Sequence, residues 1–180
     1  MEVEAYELTR SLDPTRPIND ASGYVHARTD LWTIHAYDQD PAELARKLAP
    51  GPDGAVCRNC PDVEAPYEGQ PYFVDEFGGI KWDPETQTTL PDREQRAAWG
   101  YGRPPGSIEE FYGRLEGLVE VILSLPHVAG YAYTQLTDVE QERNGIYYFD
   151  RRPKFAMDRI RKILSRDPAS DPSAKTSTPR

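Results

Sequence analysis

The sequence predicts an α/β fold built on parallel strands, and three observations carry that prediction. Segments of strand character alternate with segments of helical periodicity, which implies parallel pairing through right-handed crossovers. The strand segments are short apolar runs, as expected of strands covered by helices on both faces. Each passes directly into polar or aromatic residues, so the carboxyl ends of the strands would form one chemically rich edge, where α/β barrels keep their active sites. Four such strands with their helices amount to half of an eight-stranded barrel.

The elements follow in order. Residues 2–12 read as an amphipathic helix with Val3, Tyr6 and, farther along, Leu8 or Leu12 turned inward. Asp13, Pro14 and Pro17 stop it, and residues 17–20 read as the first strand, ending at Asn19 and Asp20. After a loop over 21–29, residues 30–37 form the second strand, Asp-Leu-Trp-Thr-Ile-His-Ala-Tyr. Asp40 caps the next helix, with Pro41 in its first turn and Glu43 three residues after the cap. A Pro- and Gly-rich loop over 51–70 leads to the third strand, residues 71–79, Pro-Tyr-Phe-Val-Asp-Glu-Phe-Gly-Gly.

That stretch organises the chain. Tyr72, Phe73 and Val74 favour a strand, Asp75 and Glu76 bring two carboxylates to its end, and Gly78 and Gly79 let the chain turn away at once. Neighbouring strand residues face opposite ways, so Asp75 is expected behind the strand when Glu76 faces the site. The plainer alternative is an acidic strand end followed by a turn.

Residues 81–106 form a long irregular segment with Trp82 and Trp99, of the kind that serves as a lid or binding loop. Ser107 and Glu110 make a capping box for a helix with Phe111, Leu115, Leu118, Ile122 and Leu125 on one face. Residues 128–136 read as the fourth strand, 137–144 as a polar loop and 153–164 as a last helix. From Ser165 the tail has little to bury and is expected to be disordered, leaving one ordered domain over 1–164 and a tail over 165–180.

Composition narrows the function classes. The chain has 180 residues, 38% of them hydrophobic, enough for one domain with a core. A net charge of −9 argues against a nucleic-acid partner, which needs clustered Lys and Arg. No apolar run approaches bilayer length, so no membrane partner is expected. The N-terminus lacks the basic start and apolar core of a signal peptide, and a cytoplasmic location is the expectation. Cys57 and Cys60 form a lone Cys-Arg-Asn-Cys without the further ligands zinc would need, and His26, His35 and His127 show no ligand-pair spacing. No metal site or cofactor is expected.

With the strand ends laid out, the chain resembles the C-terminal half of the catalytic (β/α)8 (TIM) barrel of glycoside hydrolase family 2, roughly strands five to eight with their helices. That family includes β-galactosidases, β-glucuronidases and β-mannosidases. Leu12-Asp13-Pro14-Thr15-Arg16-Pro17 is similar to the family's entry into its fifth strand, and Ile34-His35-Ala36-Tyr37 to its sixth. The stretch ending in Glu76 resembles the seventh, and Gly130-Tyr131-Ala132-Tyr133-Thr134-Gln135-Leu136-Thr137-Asp138 the eighth. Thr134 stands where many members carry Trp. The family's general acid/base, a Glu preceded by Asn at the end of the fourth strand, has no counterpart here, so the resemblance implies a fragment with little or no hydrolysis of its own.

What the resemblance implies is a retaining β-glycosidase acting on a terminal β-linked sugar. Glu76 matches the nucleophile, and Tyr37 is the candidate to support its charged form. Asn19, Asp20 and His35 at the first two strand ends, Trp82 and Trp99 in the long loop, and Asp138 after the fourth strand are the candidate sugar-binding residues. Each has a structural alternative: a buried aromatic for Tyr37, a hydrogen-bonded core histidine for His35, loop anchors for the tryptophans. Open barrel edges would also invite self-association. Two other functions remain open, a family 5 cellulase-like barrel glycosidase and a non-catalytic carbohydrate-binding remnant.

Overall fold

The structure is a computed structural model, and it describes residues 1–84 and 98–168. Helix α1 (Glu2–Leu12) leads to strand β1 (Trp32–Ala36), helix α2 (Pro41–Leu48) and strand β2 (Tyr72–Gly78). Helix α3 (Ile108–Ser124), strand β3 (Val128–Thr134) and helix α4 (Met157–Leu164) complete the order. The strands form one parallel sheet in the order β1-β2-β3. The α/β class and the parallel pairing are as expected from the alternation of elements.

The helices form where their signals lie. The Asp40 carboxylate accepts from the Ala42 and Glu43 amides at the head of α2, and Ser107 Oγ accepts from the Glu110 amide at the head of α3. The core lies between the sheet and α2, α3 and α4. Trp32, Ile34 and Ala36 of β1 and Tyr72, Val74 and Phe77 of β2 meet Leu44, Leu48, Phe111, Leu115, Leu118, Ile160 and Ile163, all buried. The alternate residues of β1 and β2, Thr33, His35 and Phe73, take the other face.

Three expectations need correction. Residues 17–20 form no strand. Pro17 has no N–H, and Ile18 spends its backbone on Asp30: its amide donates to Oδ2 at 2.7 Å and its carbonyl accepts from the Asp30 amide at 2.9 Å. Among the described residues the sheet therefore has three strands, with β1 and β3 at its edges.

In α1, only Tyr6 turns inward. Its hydroxyl donates to Asp30 at 2.7 Å, while Val3, Leu8 and Leu12 are exposed. The last helix begins at Met157 rather than 153, because Pro153 to Ala156 are held across the chain instead. Pro153 bridges Tyr147, Lys154 and Phe155 are buried, and the Ala156 amide donates to the Tyr112 hydroxyl at 2.9 Å. Of the tail, 169–180 lies outside the described residues. Arg166, just before it, is tied to Glu116 and Glu120 of α3. No described helix is long and apolar enough to cross a membrane.

Candidate active site at the carboxyl edge of the sheet

All three strands end at the same edge, and the sequence reasons for that are local. Tyr37 follows β1 directly, Asp75 and Glu76 lie near the end of β2, and Thr134 closes β3. Gly78 and Gly79 both adopt positive φ, and a Cβ at Gly79 would fall 2.4 Å from the Tyr101 ring. The glycines let β2 stop under an aromatic cover.

A β-bulge arranges the two carboxylates. Against β1, the register runs from Thr33↔Phe73 to His35↔Glu76, two residues facing three. Against β3 it runs from Val74↔Tyr131 to Phe77↔Tyr133, again with one extra residue in β2. The extra residue cancels the alternation of side chains, so Asp75 does not lie behind the strand as the sequence suggested. Both carboxylates reach the same imidazole. His35 Nδ1 is 3.3 Å from Glu76 Oε2, and His35 Nε2 is 3.6 Å from Asp75 Oδ1.

The Tyr37 hydroxyl donates to Glu76 Oε2 and lies 3.3 Å from Thr134 Oγ1. Its ring stacks flat on Tyr101, with centroids 3.4 Å apart. Burial, and then the Glu76 carboxylate, raise the Tyr37 phenol well above its ordinary value, so it remains a neutral donor. Ser22 Oγ is 3.0 Å from His35 Nε2 and donates to Asp75 Oδ2 at 2.8 Å. Burial pushes the Asp75 carboxyl up, against the pull of Ser22 and His35. Among the described residues no hydrogen bond reaches Glu76 Oε1.

The other sequence candidates separate into two groups. Trp99 stays with the site: it is 46% exposed and meets Tyr101 edge-on at 5.8 Å, one ring removed from Tyr37. Trp82 turns toward the core and packs on Phe111, as a loop anchor does. Asn19 Oδ1 faces the Thr33 hydroxyl at 3.4 Å.

Asp20 is consumed by its own loop. It accepts from His26 Nδ1 at 2.6 Å and from the Ala27 and Arg28 amides, with a side chain 1% exposed. Asp138 is likewise buried, accepting from Lys154 Nζ at 2.6 Å and the Gly145 amide at 2.9 Å. Neither oxygen set is open to a sugar, because each carboxylate fills a polar demand of nearby backbone or a buried cation.

Sequence reasoning missed Ser22, Tyr101 and Lys154. Ser22-Gly23 is a turn dipeptide that could have been noticed. Tyr101 and Lys154 carry no periodicity and meet their partners only through the fold. Cys57 and Cys60 are both free thiols, and among the described residues no cluster of His, Cys, Asp and Glu could hold a metal ion.

No protein-family model matches the chain, and no curated protein matches it. Solved structures do. The glycoside hydrolase family 2 β-galacturonidase from Eisenbergiella tayi, bound to galacturonate, matches at 17% identity and a TM-score of 0.52, over 90% of this chain and 29% of that one. The Bifidobacterium dentium β-glucuronidase complexed with coumarin-3-O-glucuronide matches at 18% and 0.54, over 90% of this chain and 26% of that one. The β-D-glucuronidase of Dictyoglomus thermophilum matches at 18% and 0.54, over 90% and 28%. The chain thus spans little more than a quarter of the length of these enzymes. At such identities the likeness is one of fold alone, shared with part of these family 2 enzymes.

Proposed function

We propose that this chain is the nucleophile-bearing part, strands five to eight, of a retaining β-glycosidase barrel of glycoside hydrolase family 2, with Glu76 as nucleophile. The observation that carries the reading is the Glu76 carboxylate at the carboxyl edge of a parallel sheet, one oxygen held by the Tyr37 hydroxyl and the other without a hydrogen bond among the described residues. The fold shared with three β-glycuronidases supports it.

In this reading Glu76 Oε1 attacks the anomeric carbon of a terminal β-linked sugar, the aglycone departs, and a glycosyl ester forms on Glu76 until water displaces it. Tyr37 keeps Glu76 ionised and correctly turned, and Trp99 and Tyr101 offer flat surfaces to the sugar. A retaining enzyme also needs a proton donor about 5–5.5 Å from the nucleophile. Among the described residues, three carboxylates near this edge are committed elsewhere: Asp75 is bonded to Ser22, Asp20 to His26 and Asp138 to Lys154. The chain by itself should therefore turn over natural glycosides poorly or not at all.

A substrate with a leaving group that needs no protonation bypasses that requirement. Incubation with 2,4-dinitrophenyl 2-deoxy-2-fluoro-β-glycosides (glucuronide, galacturonide, galactoside, mannoside) should add one fluorosugar to the intact mass. Peptide mapping should place it on Glu76, and Glu76→Gln should abolish it. A folded chain that takes up no label from the panel, or takes it elsewhere, overturns the mechanism in favour of reversible carbohydrate binding.

A further inference from the structure

The geometry points to a brace behind the Tyr37–Glu76 contact. We propose that Gln39, held from α3 by Arg114, fixes the ends of β1 and β2 against each other and so sets the Tyr37 hydroxyl on Glu76 Oε2. Gln39 is then a positioning residue that acts through Tyr37.

The backbone ladder does not reach far enough to do this. Between β1 and β2 the register slips by one residue at the bulge, and its last pair is Ala36↔Phe77, so Tyr37 lies beyond it. Past that point one side chain replaces the next rung. Gln39 Nε2 donates to the Tyr37 carbonyl at 3.1 Å and also to the Gly78 carbonyl. An amide nitrogen carries two protons, so it satisfies both carbonyls at once and ties one strand end to the other. Turned round, the amide would set its oxygen against two carbonyl oxygens and its N–H groups against a guanidinium.

Arg114 supplies that guanidinium. Its Nη1 donates to Gln39 Oε1 at 3.3 Å and to the Arg103 carbonyl at 2.7 Å, and its Nη2 donates to Glu110 Oε1 at 2.9 Å. Glu110, in the first turn of α3, is anchored in turn by the Gly106 amide at 2.6 Å and by Arg103. The brace is therefore rooted in a packed helix, and the Arg114 side chain is only 11% exposed.

The cover closes on the same group. Gly102 has φ +67, and a Cβ there would fall 2.3 Å from Gln39 Cγ, so glycine is what lets this segment lie against the amide. One residue earlier, Tyr101 stacks on the Tyr37 ring and its amide donates to the Gly79 carbonyl at 2.8 Å. Tyr37 is thus held at its carbonyl by Gln39 and at its ring by Tyr101, and both supports also bind the end of β2. A stacked ring tolerates sliding, whereas hydrogen bonds weaken steeply away from their preferred angles. The offset between the two strand ends is set by Gln39. The consequence for reactivity rests on the glycosidase reading; the placement of Tyr37 does not.

The test uses the whole chain with its tyrosines replaced by 3-fluorotyrosine, Tyr37 being identified by the loss of its fluorine signal in Tyr37→Phe. Gln39→Met keeps the bulk and removes both donors. Gln39→Glu keeps the shape and the Arg114 contact and turns an acceptor toward the two carbonyls. Glu76→Gln should shift the Tyr37 signal, because it removes the charge that the hydroxyl faces, and in either Gln39 variant that shift should largely vanish. Fluorosugar labelling of Glu76 should slow about tenfold in both, with the concentration for half-maximal rate unchanged. Added to Tyr37→Phe, Gln39→Met should slow it no further. One folded variant suffices to decide. A Tyr37 signal that answers Glu76→Gln as fully in a folded variant as in the unaltered chain overturns the brace. So does a loss of labelling that multiplies with that of Tyr37→Phe, since Gln39 would then act on its own. A vanished shift in a chain that no glycoside labels upholds the brace and overturns the glycosidase reading instead.

Discussion

Glu76 and Asp138 are both carboxylates at the carboxyl edge of the sheet, and they meet opposite fates. Asp138 is sealed against Lys154, both side chains 0% exposed, with Arg143 Nη1 3.6 Å from its second oxygen. Glu76 is 36% exposed, and among the described residues only its Oε2 takes a hydrogen bond. Burial pushes the Asp138 carboxyl up and the Lys154 ammonium down, and their pairing opposes both shifts. The difference teaches that an acidic residue after a strand is not yet a site. What decides is whether the carboxylate is sealed against a buried cation or stays partly exposed beside its donors.

The sharpest way to break the comparison is to remove each carboxylate and measure folding. Asp138→Ala leaves Lys154 buried without its partner and should cost about 3–5 kcal/mol in urea unfolding. Glu76→Gln should change stability by less than about 1 kcal/mol while abolishing labelling. Similar losses for the two would erase the distinction.

Tyr37→Phe tests the held oxygen. Losing a hydrogen bond to a charged group, about 1.5–3 kcal/mol, should slow fluorosugar labelling roughly tenfold to hundredfold. An unchanged rate would mean that Tyr37 only packs.

A smaller effect should mark the structural carboxylates by pH. Burial by itself would raise Asp20 and Asp30, but hydrogen bonds to His26 and the 27–28 amides, and to Tyr6 and the Ile18 amide, outweigh it and hold both below the ordinary value of 3.8. A carboxyl whose folded pKa is depressed adds stability that is complete above its unfolded pKa and is lost as pH falls through the folded one. Acid titration should therefore loosen the 18–30 segment and α1 below pH 3.8. Asp20→Asn should reduce the slope of stability with pH there, and an unaltered slope would count against that assignment. The smallest effect is expected at Leu12, 77% exposed. Leu12→Lys should shift stability by no more than about 0.5 kcal/mol, and a larger loss would reveal that α1 is covered in solution.

Much of this was legible in the chain. Apolar runs at β1 and β2, the cap at Asp40 and the capping box at Ser107 marked their elements because those signals act within a few residues. The contact between Tyr37 and Glu76 was implied by the family resemblance, which sets the Tyr ending one strand beside the Glu ending the next. Three readings went astray for one reason, that a nonlocal partner overrode a local pattern. Asp30 took the backbone of Ile18 away from any ladder, Tyr147 and Tyr112 captured the start of the last helix, and an extra residue in β2 turned Asp75 around.

The sequence by itself determined the α/β alternation, the parallel order and the carboxylate at the end of β2, since hydrophobic period and turn chemistry are properties of short segments. Only the tertiary structure decided which polar groups are spent and which are free. That choice depends on partners such as Lys154, 16 residues from Asp138, and Ser22, 53 residues from Asp75, that no local pattern encodes.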